Sequence, residues 1–190
     1  MDLRIWLLDA HADLRGRLFG SVVNHVPIDR WHEQADGGGS SLTWLLLHLA
    51  RHHDLALHTA IRDHAPRFTE HAEALGLAGA GAAAGLPERE DRAVAAAVAP
   101  DPLLDYVNDV FTTSERWMQR VSAMAMDSVP DVARRLERRA GLDPVELRWL
   151  FDMWSGKTVQ WFVQWPVLGH GQAHVGEAIS IRNRMGFSPF

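Results

Sequence analysis

The sequence contains no cysteine among its 190 residues. This absence excludes disulfide bonds, thiolate metal ligands and a cysteine nucleophile, so any thiol chemistry needs a thiol from outside the chain. The residues after Met1 show no apolar core of a signal peptide, and no apolar run approaches the length that spans a bilayer. We therefore expect a cytoplasmic protein that has no membrane partner.

An excess of positive charge is also lacking. The chain has 19 Lys+Arg against 24 Asp+Glu, which gives a formal net charge of −5, and no basic stripe is interleaved with aromatic residues. A nucleic-acid partner is therefore not expected. Hydrophobic residues make up 47% of the sequence, and a chain of this length can bury a core without crosslinks, so we expect one domain over residues 1–190.

Apolar residues recur at intervals of three and four, the spacing that is typical of amphipathic helices. This spacing predicts long helices over residues 3–26, 41–57 and 101–124, and a last helix after Pro166, which either starts or kinks it. Shorter helical segments lie between them, and no stretch has the alternation of a strand. The fold class that the sequence predicts is all-α.

One stretch, residues 72–100, is rich in alanine and glycine. Its low complexity predicts a flexible connection with at most a short helix over residues 88–99. It is not expected to be a domain boundary, because neither flank has enough apolar pattern to close a core alone.

Two histidines in the predicted last helix lie four residues apart. His170 and His174 therefore project from the same face, with their Cβ atoms roughly 5 to 6 Å apart. Two imidazoles at this distance can share one cation. A divalent metal ion needs at least a third ligand, which has to come from another part of the chain.

A third histidine, His48, lies in the apolar stripe of the predicted second helix. Burying an unpaired imidazole costs on the order of 1 to 3 kcal/mol, so His48 is either a core histidine bonded to a hydroxyl or carbonyl group, or a ligand. His52 lies one turn further on nearly the same face and competes for either role. The next four histidines along the chain are expected at the surface: His53, His58, His64 and His71.

Two motifs carry a family resemblance. The first is Ser-x-x-Trp-Leu-x-x-His-Leu over residues 41–49, and the second is His-x-x-x-His-x-Gly-Glu-x-x-x-Ile-Arg-x-x-x-Gly over residues 170–186. Together they resemble the DinB/YfiT superfamily, including its mycothiol-dependent maleylpyruvate isomerase-like branch. The resemblance implies a four-helix bundle of up-down-down-up topology, here with extra short helices. It also implies a Zn or Ni ion held by His48, His170 and His174.

The resemblance leaves three functions open. The chain could be a metal-dependent enzyme that uses a small thiol of the mycothiol or bacillithiol type to transfer sulfur to, or isomerise, an electrophilic substrate. It could be a hydrolase with metal-activated water, in which Glu177 or His52 is the general base. Glu177 could equally be an outer residue next to His174 or a surface residue. The chain could also be a non-catalytic bundle with a structural metal ion, used in a stress response or as a binding module.

The same resemblance suggests two residues that contact the cofactor. Arg182 matches the arginine that follows the second motif and could hold a carboxylate, although positive charge also suits the end of a helix. Trp44 of the first motif is the other candidate. The supply of tryptophans and the habit of the family both favour a homodimer.

Overall fold

The computed structural model describes residues 2–36 and 38–190, and within these ranges all regular secondary structure is helical. The all-α prediction is therefore confirmed. The α-helices are α1 (Leu3–Leu18), α2 (Leu42–Asp54), α3 (Phe68–His71), α4 (Arg92–Ala97), α5 (Pro100–Met118), α6 (Ala123–Met126), α7 (Val132–Ala140), α8 (Arg148–Trp154), α9 (Val159–Phe162) and α10 (His170–Arg184). None of the described helices has both the length and the apolar character needed to cross a bilayer.

Three π-helical segments lengthen these helices. Phe19–Val23 extends α1, Leu55–Ile61 extends α2, and Val163–Gly169 joins α9 to α10. The last segment contains Pro166. A proline has no N–H to donate inside a helix, and the wider π-helical turn accommodates this lost hydrogen bond. The final helix therefore passes through Pro166 and does not start there.

The four longest helical units pack in neighbouring pairs. Both α5 and α10 contact α1, and both also contact α2. Local caps fix where the units begin: the Ser41 hydroxyl accepts from the Trp44 N–H at 3.2 Å ahead of α2, and a proline occupies the first turn of α5. Because α5 ends at Met118, Met124 at the end of the predicted apolar stripe is 82% exposed.

Every residue of α2 is buried, including its charged and polar residues. The alanine- and glycine-rich segment covers the face that would otherwise contact water. That segment buries Leu75, Leu77 and Leu86 in the core, and its one helix is α4, shorter than the predicted residues 88–99. Its composition suggested a loose connection, whereas the structure packs its leucines against the helical core.

The prediction that the later histidines of this region lie at the surface is wrong for two of them. His53 and His58 are only 1% and 2% exposed, whereas His64 is exposed and His71 is partly buried. The error has a physical cause. A helix that is covered on all sides has no solvent-facing stripe, so helical spacing cannot tell which of its polar residues are buried.

Candidate metal centre

The structure brings the three predicted ligands together at one place. His48 comes from α2 and His170 and His174 come from α10, the two helices that pack against each other. Glu88, in the segment that covers α2, joins them. One potential ligand atom from each of the four residues lies within 4.8 Å of the others.

The two α10 histidines already have a separation that suits a shared ion. Their Nε2 atoms are 3.1 Å apart. With metal–nitrogen bonds of about 2.05 Å, two nitrogen ligands lie about 2.9 Å apart at a right angle and about 3.3 Å apart at the tetrahedral angle. The observed separation falls between these two values, so the pair fits one cation in either geometry.

The hydrogen bonds of His48 point its free nitrogen at the cluster. Its Nδ1 donates to the carbonyl oxygen of Gly85 at 2.9 Å, which leaves the lone pair on Nε2. That Nε2 atom is buried and has no hydrogen-bond partner in the part of the chain that the structure describes. A backbone acceptor that fixes the tautomer in this way is typical of a metal-binding histidine.

A carboxylate orients His174 similarly. Glu177 Oε2 accepts a hydrogen bond from His174 Nδ1 at 3.1 Å, and this leaves Nε2 for the cluster. Burial lowers the pKa of His174, with the nearby His170 charge as a further cause. The imidazole is therefore neutral at pH 7, which is the form that binds a metal ion. Of the roles left open for Glu177, its position supports that of an outer residue that orients His174.

Glu88 was not found from the sequence. Its Oε2 lies 3.6 Å from His48 Nε2, and its Oε1 lies 3.9 Å from His170 Nε2. The neighbouring imidazoles of His170 and then of His48 hold the pKa of the Glu88 carboxyl well below its usual range, so the group is an anion at neutral pH. No helical period relates a loop residue to a distant helix. The one local signal is that this acidic residue directly follows Gly-Leu-Pro at the end of the alanine run.

The other candidate residues lie around the four. The His52 ring centre is 4.6 Å from those of His48 and of His170, and its Nε2 donates to the carbonyl oxygen of Leu86 at 2.9 Å. Burial holds the pKa of His52 well below its usual value, so the ring is neutral. Trp44 is fully buried and stacks on His48 with ring centres 6.2 Å apart.

Arg182 lies outside this cluster. It is 3% exposed, and its guanidinium donates to the carbonyl oxygen of Ser21 and, at 2.7 Å, to Asn183 Oδ1. It lies in the last turn of α10. These contacts fit the explanation of helix-end charge that the sequence left open.

The cluster opens to solvent on the side of Glu88. The Glu88 side chain is 65% exposed, whereas those of His170 and His174 are 9% and 13% exposed. A separate groove of about 650 Å³ lies against α1, α6 and the Val163–Gly169 segment, and its lining reaches α10 at Gln172. No residue of the metal group lines that groove, because position 172 faces away from position 170 on a helix.

Comparison with family models, with curated proteins and with solved structures gives no match to this chain. The class that the fold and the site define is an all-helical protein with a histidine and glutamate cluster that could bind a divalent metal ion. The family resemblance stays a prediction.

Proposed function

We propose that this chain is a DinB/YfiT-like four-helix bundle of up-down-down-up topology that binds one divalent metal ion. His48, His170 and His174 are the ligands, and Glu88 completes the set. The observation that carries the proposal is the convergence of three imidazole Nε2 atoms and a carboxylate from two packed helices and the segment over them. The pairwise packing of α1 and α2 against α5 and α10 supports a bundle.

The donor set favours a borderline metal ion over a hard one. Imidazole nitrogens suit Zn and Ni, whereas Mg and Ca prefer sites made of oxygen atoms. Three nitrogens and one carboxylate oxygen make a four-ligand set without a protein thiolate, which agrees with a chain that has no cysteine. Zn or Ni is therefore the proposed metal.

The proposed activity is S-transfer to, or isomerisation of, an electrophilic substrate with a small thiol of the mycothiol or bacillithiol type. When bound, the metal ion would keep such a thiol as the thiolate at neutral pH, because coordination lowers the thiol pKa. Glu88 would be the ligand that the thiol replaces, because it is the exposed donor of the four and belongs to the segment between α3 and α4. No internal cysteine competes with the incoming thiol.

The hydrolase alternative requires a free general base near the cluster. Both candidates have other hydrogen-bond partners: Glu177 accepts from His174, and His52 Nε2 donates to Leu86 O. These contacts favour the thiol-dependent function over the activation of water.

The experiment is to load chelator-treated protein with Co²⁺ and to titrate it with mycothiol or bacillithiol. We expect a thiolate-to-cobalt charge-transfer band that saturates at one thiol per ion. An S-methylated thiol, which cannot form the thiolate, should give no band. Adding a halogenated aromatic electrophile to the zinc or nickel form should then speed formation of the thiol adduct, followed by mass spectrometry.

The matched variants are His48→Ala and His25→Ala. His25 is exposed and lies outside the cluster, so its loss should leave both the band and the rate unchanged, whereas His48→Ala should remove both. Metal binding without a thiol band, and with no rate above that of thiol alone, would overturn the thiol-dependent activity and leave the hydrolase and the non-catalytic metal-binding bundle.

A further inference from the structure

A second polar cavity lies at the end of the helix that carries His48. It has a volume of about 620 Å³ and adjoins the end of the Leu55–Ile61 segment. With a helical rise of 1.5 Å per residue, its residue His58 is roughly 15 Å along the axis from His48, so the two sites are separate. Cationic and imidazole groups outnumber acids in its lining: His58, Arg62, His64, Arg67 and Arg139 against Asp63 and Glu70.

His58 lines this cavity with a side chain that is almost fully buried. The residue is 2% exposed, and its Nδ1 donates to Asp54 Oδ1 at 2.8 Å, while its buried Nε2 has no partner among the described residues. The Asp54 carboxylate also accepts from the Tyr106 hydroxyl at 2.8 Å and from the N–H groups of Arg67 and Phe68 at 2.9 Å. Asp54 therefore orients His58 and has its own charge satisfied away from the cavity.

Arg62 is the cation without a carboxylate partner within the described ranges. Arg67 forms ion pairs with Asp109 at 2.7 Å and with Glu70 at 2.6 Å, and Arg139 forms one with Asp63 at 3.0 Å. Burial lowers the pKa of Arg62, and the neighbouring charge of Arg67 lowers it further. A bound anion would offset this repulsion between the two guanidinium groups.

The last carbonyl oxygens of this helical unit have a donor of their own. The carbonyl oxygens of Ala60 and Ile61 accept from Arg135 Nη1 at 2.7 and 3.0 Å, so their negative ends are covered. Asp63 adopts a left-handed conformation with φ 56°, and this turn brings the N–H of His64 to within 2.8 Å of the carbonyl oxygen of His58. The turn thus positions His64 at the border of the cavity, beside the arginines and the carboxylates of Asp63 and Glu70.

We propose that this cavity binds a small phosphate-type oxyanion, held by the Arg62 guanidinium, with Arg67 and Arg139 at the rim. A guanidinium donates two parallel hydrogen bonds to such an anion. The cavity is large enough for free phosphate or for the phosphate group of a small monoester.

The test follows the histidine Cε1–H signals by NMR while the metal-loaded protein is titrated at constant ionic strength. Inorganic phosphate and glycerol 3-phosphate are the two probes, and chloride is the control for charge screening. We expect saturable shifts of the His58 and His64 signals, with those of His48, His170 and His174 unchanged. The probe that binds more tightly shows whether free phosphate or a monoester is the ligand.

Arg62→Gln and Arg138→Gln are the matched variants. Arg138 is exposed and does not line the cavity, so its loss should leave the affinity unchanged, whereas Arg62→Gln should weaken binding at least tenfold. The proposal is overturned if neither probe shifts His58 beyond the chloride control, or if the two variants bind equally well. The wild-type titration decides the question even if one variant fails to fold.

Discussion

At the scale of single residues, the site depends on which nitrogen of each histidine is free. The carbonyl oxygen of Gly85 accepts a hydrogen bond from His48 Nδ1, and Glu177 accepts one from His174 Nδ1. Both rings therefore present Nε2 to the same point. His170 Nδ1 is buried and has no such partner among the described residues. Two of the three imidazoles are thus fixed in the metal-binding tautomer by contacts outside the cluster.

Replacing Glu88 tests whether its carboxylate is a ligand. Glu88→Gln keeps the size of the side chain but removes its negative charge, so we expect affinity for Zn²⁺ to fall about 10-fold to 100-fold. Competition with a chelating dye measures this change. Glu146→Gln, at an exposed position, is the control. Equal affinity in the two variants would show that the ligand set consists of the three histidines alone.

Buried neutral histidines make the stability of the protein depend on pH. Burial lowers the pKa of His11 to about 4, with Arg15 as a second cause, and burial also holds the pKa of His53 well below its usual value. The unfolded chain takes up protons near pH 6.5, before the folded chain does, so stability is complete above that pH and is lost as the pH falls towards 4. His11 alone accounts for about 3 kcal/mol over this interval.

His11→Met removes this titrating group while keeping an apolar side chain of similar size against Phe111 and His53. Denaturant unfolding of metal-free protein between pH 7 and pH 4 should therefore show a shallower loss of stability in the variant than in the wild type. Parallel curves for the two proteins would mean that His11 is not neutral in the folded state.

At the scale of elements, the alanine- and glycine-rich segment connects the fold to the site. Its carbonyl groups at Gly85 and Leu86 accept from His48 and His52, and that of Ala84 accepts from the buried Arg51 at 2.9 Å. Small residues allow the backbone to approach α2 this closely. The segment therefore supplies both Glu88 and the acceptor that sets the His48 tautomer.

Gly85→Ala should disrupt this contact. Gly85 has φ +78°, and an added Cβ would lie 2.9 Å from side-chain carbons of Leu47 and Arg51. We expect a stability loss of about 1 to 3 kcal/mol, measured by thermal unfolding, and weaker metal binding because His48 loses its acceptor. Gly79→Ala is the matched control, since that Cβ would meet no atom within 4 Å. Similar losses in both variants would contradict this role for Gly85.

The elements also show what could be predicted from the sequence. Local helical periodicity was enough to predict that His170 and His174 share one helix face. It was also enough to place His48 in an apolar stripe. Glu88 could not be predicted, because its position depends on how a loop folds over α2. The burial of His53 and His58 was missed because helical periodicity assumes one solvent-exposed face. Neither α2 nor the Leu55–Ile61 segment that extends it has such a face at these positions.

At the scale of the whole molecule, two separate polar centres lie along one helical unit. The histidine and glutamate cluster is formed where α2 meets α10, and the cationic cavity lies beyond Leu55–Ile61 at the other end. The homodimer expected from the family resemblance stays a prediction. Each centre is built from residues of this one chain, so both proposals can be tested without reference to a partner.

The most direct test of the central claim is calorimetric titration of chelator-treated protein with Zn²⁺. The predicted result is one ion per chain and a rise of several degrees in the melting temperature at saturating metal. His48→Ala, His170→Ala and His174→Ala should each weaken binding at least a hundredfold, whereas the exposed His25→Ala should not change it. Absence of stoichiometric binding, or equal binding by His48→Ala and the wild type, would contradict the metal centre.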